Sequence, residues 1–247
     1  MKSTITATEL KQNLGKYLDY VAENNEIVVT KNGHKYVRLS PYITDHERYF
    51  LLKEKAADYS MGGARVSYEE FMEIYSKSEL RLEFINGEII IRGSPSLNHQ
   101  RISGELYVLL RDFLRGGPCE VFYAPFDVHC RKEGFKDPDV VQPDLLVVCD
   151  LDENDEDTWY QGIPTLVVEI LSPSTKSRDM VDKLQVYMLS GIGEYWIVDP
   201  ENKLFLVYTF SDEQIATFDT YHLGDSFESS RLGNALVKVS AVFHYID

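Results

Sequence analysis

The 247-residue chain is 44% hydrophobic and 12% aromatic, enough for one large or two smaller packed domains and against a disordered chain. No run approaches the ~18 uninterrupted apolar residues of a membrane span, and MKSTITATEL lacks a signal peptide's apolar block, so a cytoplasmic protein is expected. The net charge of −15 argues against a generally nucleic-acid-binding surface, but residues 1–42 carry six Lys or Arg against four Asp or Glu, leaving about −17 on the remainder.

In TATELKQNLGKYLDYVAENN, Thr6 and Glu9 have capping-box spacing, and Leu10, Leu14, Leu18 and Val21 follow at helical intervals. EIVVTKNGHKYVRLSP predicts a hairpin, two β-rich arms joined across Asn32-Gly33 in a type I′ turn. A strand, helix and hairpin of this size bury little surface alone, so a homodimer is expected. The stretch ITATELKQNLGKYLDYVAENNEIVVTKNGHKYVRLSP resembles the N-terminal DNA-binding domain of the Phd/YefM antitoxin family. The resemblance implies an operator-binding dimer, with Lys2, Lys11, Lys16 and Lys31 as phosphate contacts. A dimerisation module without DNA binding is the alternative. Antitoxins of that family continue into a toxin-binding tail, whereas a full domain follows here, so the sequence leaves a toxin partner open without supporting it.

Residues 43–66 read as a helical connector ending at Gly62-Gly63, which leaves 1–42 and 67–247 as the two domains. From Ser67 onward the pattern is α/β. A helix precedes the Asn86-Gly87 turn, where EIIIRG begins a strand, and NHQRISGELYVLLRDFLRGG is an amphipathic helix with a Gly cap. CEVFYAPFDVHC, PDLLVVC and TLVVEIL are strands; SRDMVDKLQVYMLSGI is a helix, followed by the strands EYWIVDP and KLFLVYTF. Cys119, Cys130 and Cys149 are odd in number and form no CxxC pair, which favours reduced thiols over a disulfide or zinc site.

Two carboxylates interrupt apolar strands. Glu169 sits inside TLVVEIL, and Asp144 enters VVQPDLLVV directly after Pro143. Burying a carboxylate costs several kcal/mol unless a cation or hydrogen bonds compensate. If the two strands pair, Asp144 and Glu169 converge, and a hard divalent cation would relieve the repulsion between them. No basic residue adjoins either acid in sequence. Seven acids lie between Asp144 and Asp157, a run read as a solvated loop.

Pro-Asp followed at this distance by Glu is the frame of the PD-(D/E)XK nucleases, but Leu171 stands where that pattern has its lysine. The set RLEFINGEIII, SLNHQRISGELYVLL, VVQPDLLVV and TLVVEILSPSTKSRDMVDKLQVYMLSGIGEYWIVDP resembles the Uma family of restriction-endonuclease-like proteins within that superfamily, over about residues 67–245. The resemblance implies a mixed central sheet flanked by helices, an α/β (α+β) fold behind a small α+β antitoxin-like domain. It also implies that the lysine has moved to the following helix as Lys183 and that Glu83 supplies an upstream acid. On that basis Asp144, Glu169 and Glu83 would hold Mg²⁺ or Mn²⁺, and Lys183 would orient water or offset developing charge. His99 is either a site group or a helix-cap residue, and Gln185 is a further candidate. The expected activity is phosphodiester hydrolysis in nucleic acid, DNA in particular. The rival is a non-catalytic transcriptional or antitoxin-type regulator that uses the fold as a binding body.

Overall fold

A computed structural model describes residues 4–23, 25–39, 65–151, 159–172, 178–233 and 235–246. The chain divides into two units, Met1–Leu52 and Lys53–Asp247. The connector expected over 43–66 lies outside the described residues apart from Arg65 and Val66. Among the described residues no helix is long and apolar enough to cross a membrane.

In the N-terminal unit, β1 (Thr4–Thr6) runs parallel to β2 (Ile27–Lys31), which pairs antiparallel with β3 (His34–Leu39). Asn32 (φ 53°) and Gly33 (φ 82°) both adopt the positive φ that a type I′ turn requires. Thr6 caps α1 (Ala7–Gln12) by accepting from the Glu9 amide at 3.1 Å. The Glu9 carboxylate instead accepts from the Tyr17 hydroxyl at 2.8 Å.

The expected single helix is broken. Asn13, at φ −129° and ψ 35°, separates α1 from α2 (Leu14–Ala22), and the break resets the helical phase. Tyr17 and Val21, four residues apart, turn inward against Ile5, Ile27 and Val29, while Leu14 and Leu18 remain 49% exposed. Of the Leu10-Leu14-Leu18-Val21 stripe, Val21 is buried and Leu10 packs against the core, whereas Leu14 and Leu18 face outward.

The first described element of the larger unit is α3 (Tyr68–Tyr75), opened by a complete Ser67–Glu70 capping box. Its Phe71 stacks on Phe84 with ring centroids 4.9 Å apart. That contact seats α3 on a five-stranded sheet of order β10-β7-β8-β4-β5. Its strands are β4 (Leu82–Ile85), β5 (Glu88–Ile91), β7 (Asp127–Cys130), β8 (Asp139–Val141) and β10 (Trp159–Tyr160).

A six-stranded sheet, β14-β13-β12-β11-β9-β6, carries most of the core. It comprises β6 (Glu120–Tyr123), β9 (Leu145–Val148), β11 (Leu166–Ile170), β12 (Glu194–Asp199), β13 (Leu204–Ser211) and β14 (Gln214–Tyr221). Only β11 and β12 pair in parallel; the other neighbours are antiparallel, so the sheet is mixed as expected. CEVFYAPFDVHC is not one strand but two, β6 and β7, in different sheets. Pro125 lies between them and has no N–H to continue a ladder. β14 and the closing elements β15 (Ser226–Glu228), β16 (Leu236–Lys238) and α6 (Val239–Val242) add to the expected set.

β11 is buried on both faces. Leu166, Val168 and Ile170 pack with Ile102, Leu106 and Leu110 of α4 (Leu97–Leu114), a helix followed by Gly116 at φ 83°. Val167 faces the other way, with Leu146, Val148, Tyr195 and Ile197, toward Val186 and Tyr187 of α5 (Leu184–Leu189). Each such side chain contributes about 1.5–3 kcal/mol on burial.

The expectation of three reduced thiols is corrected. Cys119 and Cys149 form a disulfide, leaving Cys130 free and buried. The β6–β9 register sets Glu120 opposite Val148, so the next pair along the ladder is Cys119 and Cys149. A separation of 30 residues gives no hint of that adjacency.

His129 on β7 stacks on Trp159 and lies 3.0 Å from the Tyr68 hydroxyl through Nδ1. Burial lowers its pKa, so the folded state holds the ring neutral, able to accept the tyrosine proton. A lowered folded pKa gives stability that is present above the unfolded value near 6.5 and is lost as pH falls. Urea unfolding between pH 5 and 8 is expected to show that loss in the wild type and to lack this component in His129→Gln.

Candidate functional site

The acid-bearing segments meet where the two sheets adjoin. β9 and β11 pair antiparallel with Leu145 opposite Val168, which carries Asp144, just before β9, to the level of Glu169. The Ile170 amide donates to Asp144 Oδ2 at 2.8 Å and locks that approach. Glu83 arrives on β4 of the smaller sheet, where its Oε1 accepts from the Gln142 amide at 2.9 Å. The three residues 142–144 carry the chain from β8 in one sheet to β9 in the other, bringing the acids together.

Lys183 closes the cluster from the helical side. Asp179–Lys183 is a single π-helical segment running directly into α5. Lys183 Nζ lies 2.6 Å from Glu169 Oε1, 2.8 Å from Glu83 Oε1 and 3.9 Å from Asp179 Oδ1. Tyr187, one turn on, donates to the same Glu169 oxygen at 2.7 Å. Glu83, Glu169 and Lys183 are all 0% exposed.

His99 reaches the cluster from the start of α4, where its backbone amide donates to Ser96 Oγ at 3.2 Å. It occupies the first turn of α4, three residues before Ile102 on the buried face, so its ring points at the sheet. Its Nε2 lies 3.0 Å from Asp144 Oδ2 and carries the proton, because an ionised carboxylate can only accept.

Arg92, which follows β5, joins the cluster although it lies just beyond RLEFINGEIII and outside the other stretches that carry the family resemblance. Its guanidinium places Nη2 3.4 Å from Asp144 Oδ1 and 3.9 Å from Glu169 Oε2, with Nε 3.9 Å from Glu83 Oε2. Glu83 Oε2, Glu169 Oε2 and Arg92 Nη1 are buried without a hydrogen-bond partner among the described residues. The only sequence signal for Arg92 is a cation at the end of the apolar run EIII. Tyr187 and Asp179, also missed, stand at i+4 and i−4 from Lys183, a spacing that points to them.

The charges explain the ionisation of the cluster. Burial would push Glu83 up, but Lys183 and Arg92 overcome it and hold the carboxyl below its usual range. Burial also opposes Asp144, which His99, Arg92 and the Ile170 amide nevertheless keep low. Glu169 goes the other way: burial, eased by Lys183 but reinforced by Asp144 and Asp179, pushes its carboxyl above the usual range. For Lys183, burial is outweighed by Glu169 and Glu83, so the ammonium stays charged.

A cleft of about 410 Å³ opens over this cluster. Its lining includes Arg81, Arg92, His99, Asp144 and Arg178, whereas Glu83, Glu169 and Lys183 lie behind it. Three carboxylates with two unpartnered buried oxygens are a donor set of hard-cation chemistry. As they stand, no group of three Asp, Glu, His or Cys among the described residues is arranged to hold a metal ion. No basic residue adjoins the acids in sequence, but Lys183 and Arg92 both reach them in space.

Gln185 is not brought to the cluster. It is exposed and lines a separate cavity with Lys132 and Lys136. In the N-terminal unit Lys11, Lys16 and Lys31 are exposed, with Lys31 Nζ 5.1 Å from the Tyr36 ring centroid. Lys2 lies outside the described residues.

Residues 68–237 match the Uma2 family model, described as "Putative restriction endonuclease". Residues 2–58 match a model described as "Antitoxin Phd_YefM, type II toxin-antitoxin system". The "Uncharacterized protein slr1290" of Synechocystis sp. (strain ATCC 27184 / PCC 6803 / Kazusa) is 27% identical over 170 residues, 68% of this chain and 87% of that protein. A crystal structure described as "a putative nuclease belonging to DUF820", from Anabaena variabilis ATCC 29413, has a TM-score of 0.61 at 19% identity. That match covers 73% of this chain and 98% of its own, which shows a shared fold. With the family model spanning more than half of its residues, the chain belongs to the Uma2 family of restriction-endonuclease-like proteins.

Proposed function

We propose that residues 67–247 form a metal-dependent nuclease of the PD-(D/E)XK type that hydrolyses phosphodiester bonds in DNA. The observation that carries this reading is the convergence of Glu83, Asp144, Glu169 and Lys183, from two sheets and a helix, beneath one arginine-lined cleft. Mg²⁺ or Mn²⁺ held by Asp144, Glu169 and Glu83 would supply Lewis acidity and a more acidic water. Asp144, kept ionised and facing the cleft, is the first donor such an ion meets. Lys183 stays protonated and offsets negative charge as it develops on the phosphate. Arg81 and Arg178 line the cleft and provide local positive charge on an otherwise acidic body. Residues 1–42, a dimerising DNA-binding module in this reading, bring the long-range attraction through Lys2, Lys11, Lys16 and Lys31.

The non-catalytic alternative is favoured by the Phd/YefM match and by the neutralisation of the acids by Lys183 and Arg92. A plasmid-nicking assay separates the two. Mg²⁺- or Mn²⁺-dependent nicking by the wild type, reduced about 10²-fold or more in Asp144→Asn, is the expected result. No nicking with either ion would leave the regulator.

Lys183 has a structural duty as well. Lys183→Met removes the nearest cation from Glu83 and Glu169, leaving only Arg92 at 3.9 Å from each, and is expected to cost about 3–5 kcal/mol at neutral pH in urea unfolding. Wild-type stability in that variant would show that the ion pairs do not hold the cluster.

Deleting the N-terminal module should weaken duplex binding and flatten its salt dependence, by about 0.9 in slope for each phosphate no longer neutralised. A gel-shift salt series on the full chain and a 67–247 fragment measures this. Equal binding with equal slopes would reduce residues 1–42 to a dimerisation device.

A further inference from the structure

Arg92 occupies the point on which the acids converge. Its guanidinium lies 3.4–3.9 Å from one oxygen each of Asp144, Glu83 and Glu169, and the Glu83 and Glu169 oxygens have no hydrogen-bond partner among the described residues. Those distances exceed the 2.7–2.9 Å of a well-formed charge-assisted hydrogen bond, so the attraction is mainly that of a point charge. Arg92 also lines the cleft, whereas Glu83 and Glu169 lie behind it. An ion entering from the cleft meets Arg92 before it reaches either glutamate.

We propose that Arg92 is a displaceable internal counter-ion. It holds Glu83, Asp144 and Glu169 together in the metal-free protein, and it leaves their centre for the cleft when a divalent cation binds. The inference rests on the metal-dependent reading above. It assigns Arg92 as a positioning residue that sets the affinity of the site for metal.

Two physical consequences follow. Metal must displace a favourably placed cation, so the wild-type protein binds it more weakly than the bare carboxylate set would. An arginine on a long stem can swing its charged head into water while its methylenes stay packed, so the displacement requires no refolding.

The test is Mn²⁺ titration by calorimetry of the full-length wild type and of Arg92→Gln, with thermal unfolding of both in the absence of metal. Arg92→Gln is expected to bind Mn²⁺ about tenfold or more tightly and to melt lower without metal. Binding by Arg92→Gln alone would also support the proposal. Wild-type binding with equal or weaker affinity in the variant overturns the counter-ion role and leaves the metal site standing. Absence of binding in both overturns the two readings together. Should Arg92→Gln fail to fold, phenylglyoxal labelling of the wild type decides. Mass spectrometry is expected to find faster modification of Arg92 once Mn²⁺ is saturating, and unchanged or slower modification overturns the displacement.

Discussion

The ion pairs of Lys183 with Glu83 and Glu169 are the constraint around which the larger unit is organised. All three side chains are fully buried, and each charge taken out of water alone would cost several kcal/mol. The ammonium meets both carboxylates only when β4 of one sheet, β11 of the other and the π-helical segment are docked together. Misplacing any of the three leaves an uncompensated buried charge, so the pairing enforces the mutual position of the two sheets. The apolar faces of β11 drive the burial; the ion pairs specify its geometry.

The same cluster shows why net charge is a poor guide to this chain's chemistry. The whole sequence carries −15, yet among the described residues the cleft is lined by Arg81, Arg92, Arg178 and His99 beside one acid, Asp144. Local sign governs a phosphate at contact distance, because screening removes most of the remote charge beyond roughly 10 Å at 0.1 M salt. An acidic body and an arginine-lined cleft are compatible on those terms.

The N-terminal unit is held together differently. Five buried residues, Ile5, Tyr17, Val21, Ile27 and Val29, form its core, and Leu14 and Leu18 are left half exposed on α2. A core this small is marginal for an isolated fold, and uncovered leucines on one helix are the residues a second copy would bury. The Asn13 break produces this surface by turning the leucines away from the sheet.

Much was legible in the sequence because it depends on local rules. The Asn32-Gly33 hairpin follows from turn chemistry. The apolar run of β11 and the anomaly of Glu169 within it follow from strand composition and the cost of burying charge. The resemblance placed Lys183 beside the acids, and the distances agree with that placement. Tertiary structure decided what no local rule encodes. The Cys119–Cys149 bond depends on the β6–β9 register, the division of CEVFYAPFDVHC on which sheet each half joins, and the inward turn of Tyr17 on the break at Asn13. Arg92 is the clearest instance: it is 52 residues from Asp144, and only sheet packing brings its guanidinium to the cleft-facing acid. Sequence spacing records periodicity along one element, whereas the field at a buried carboxylate is set by every element packed against it.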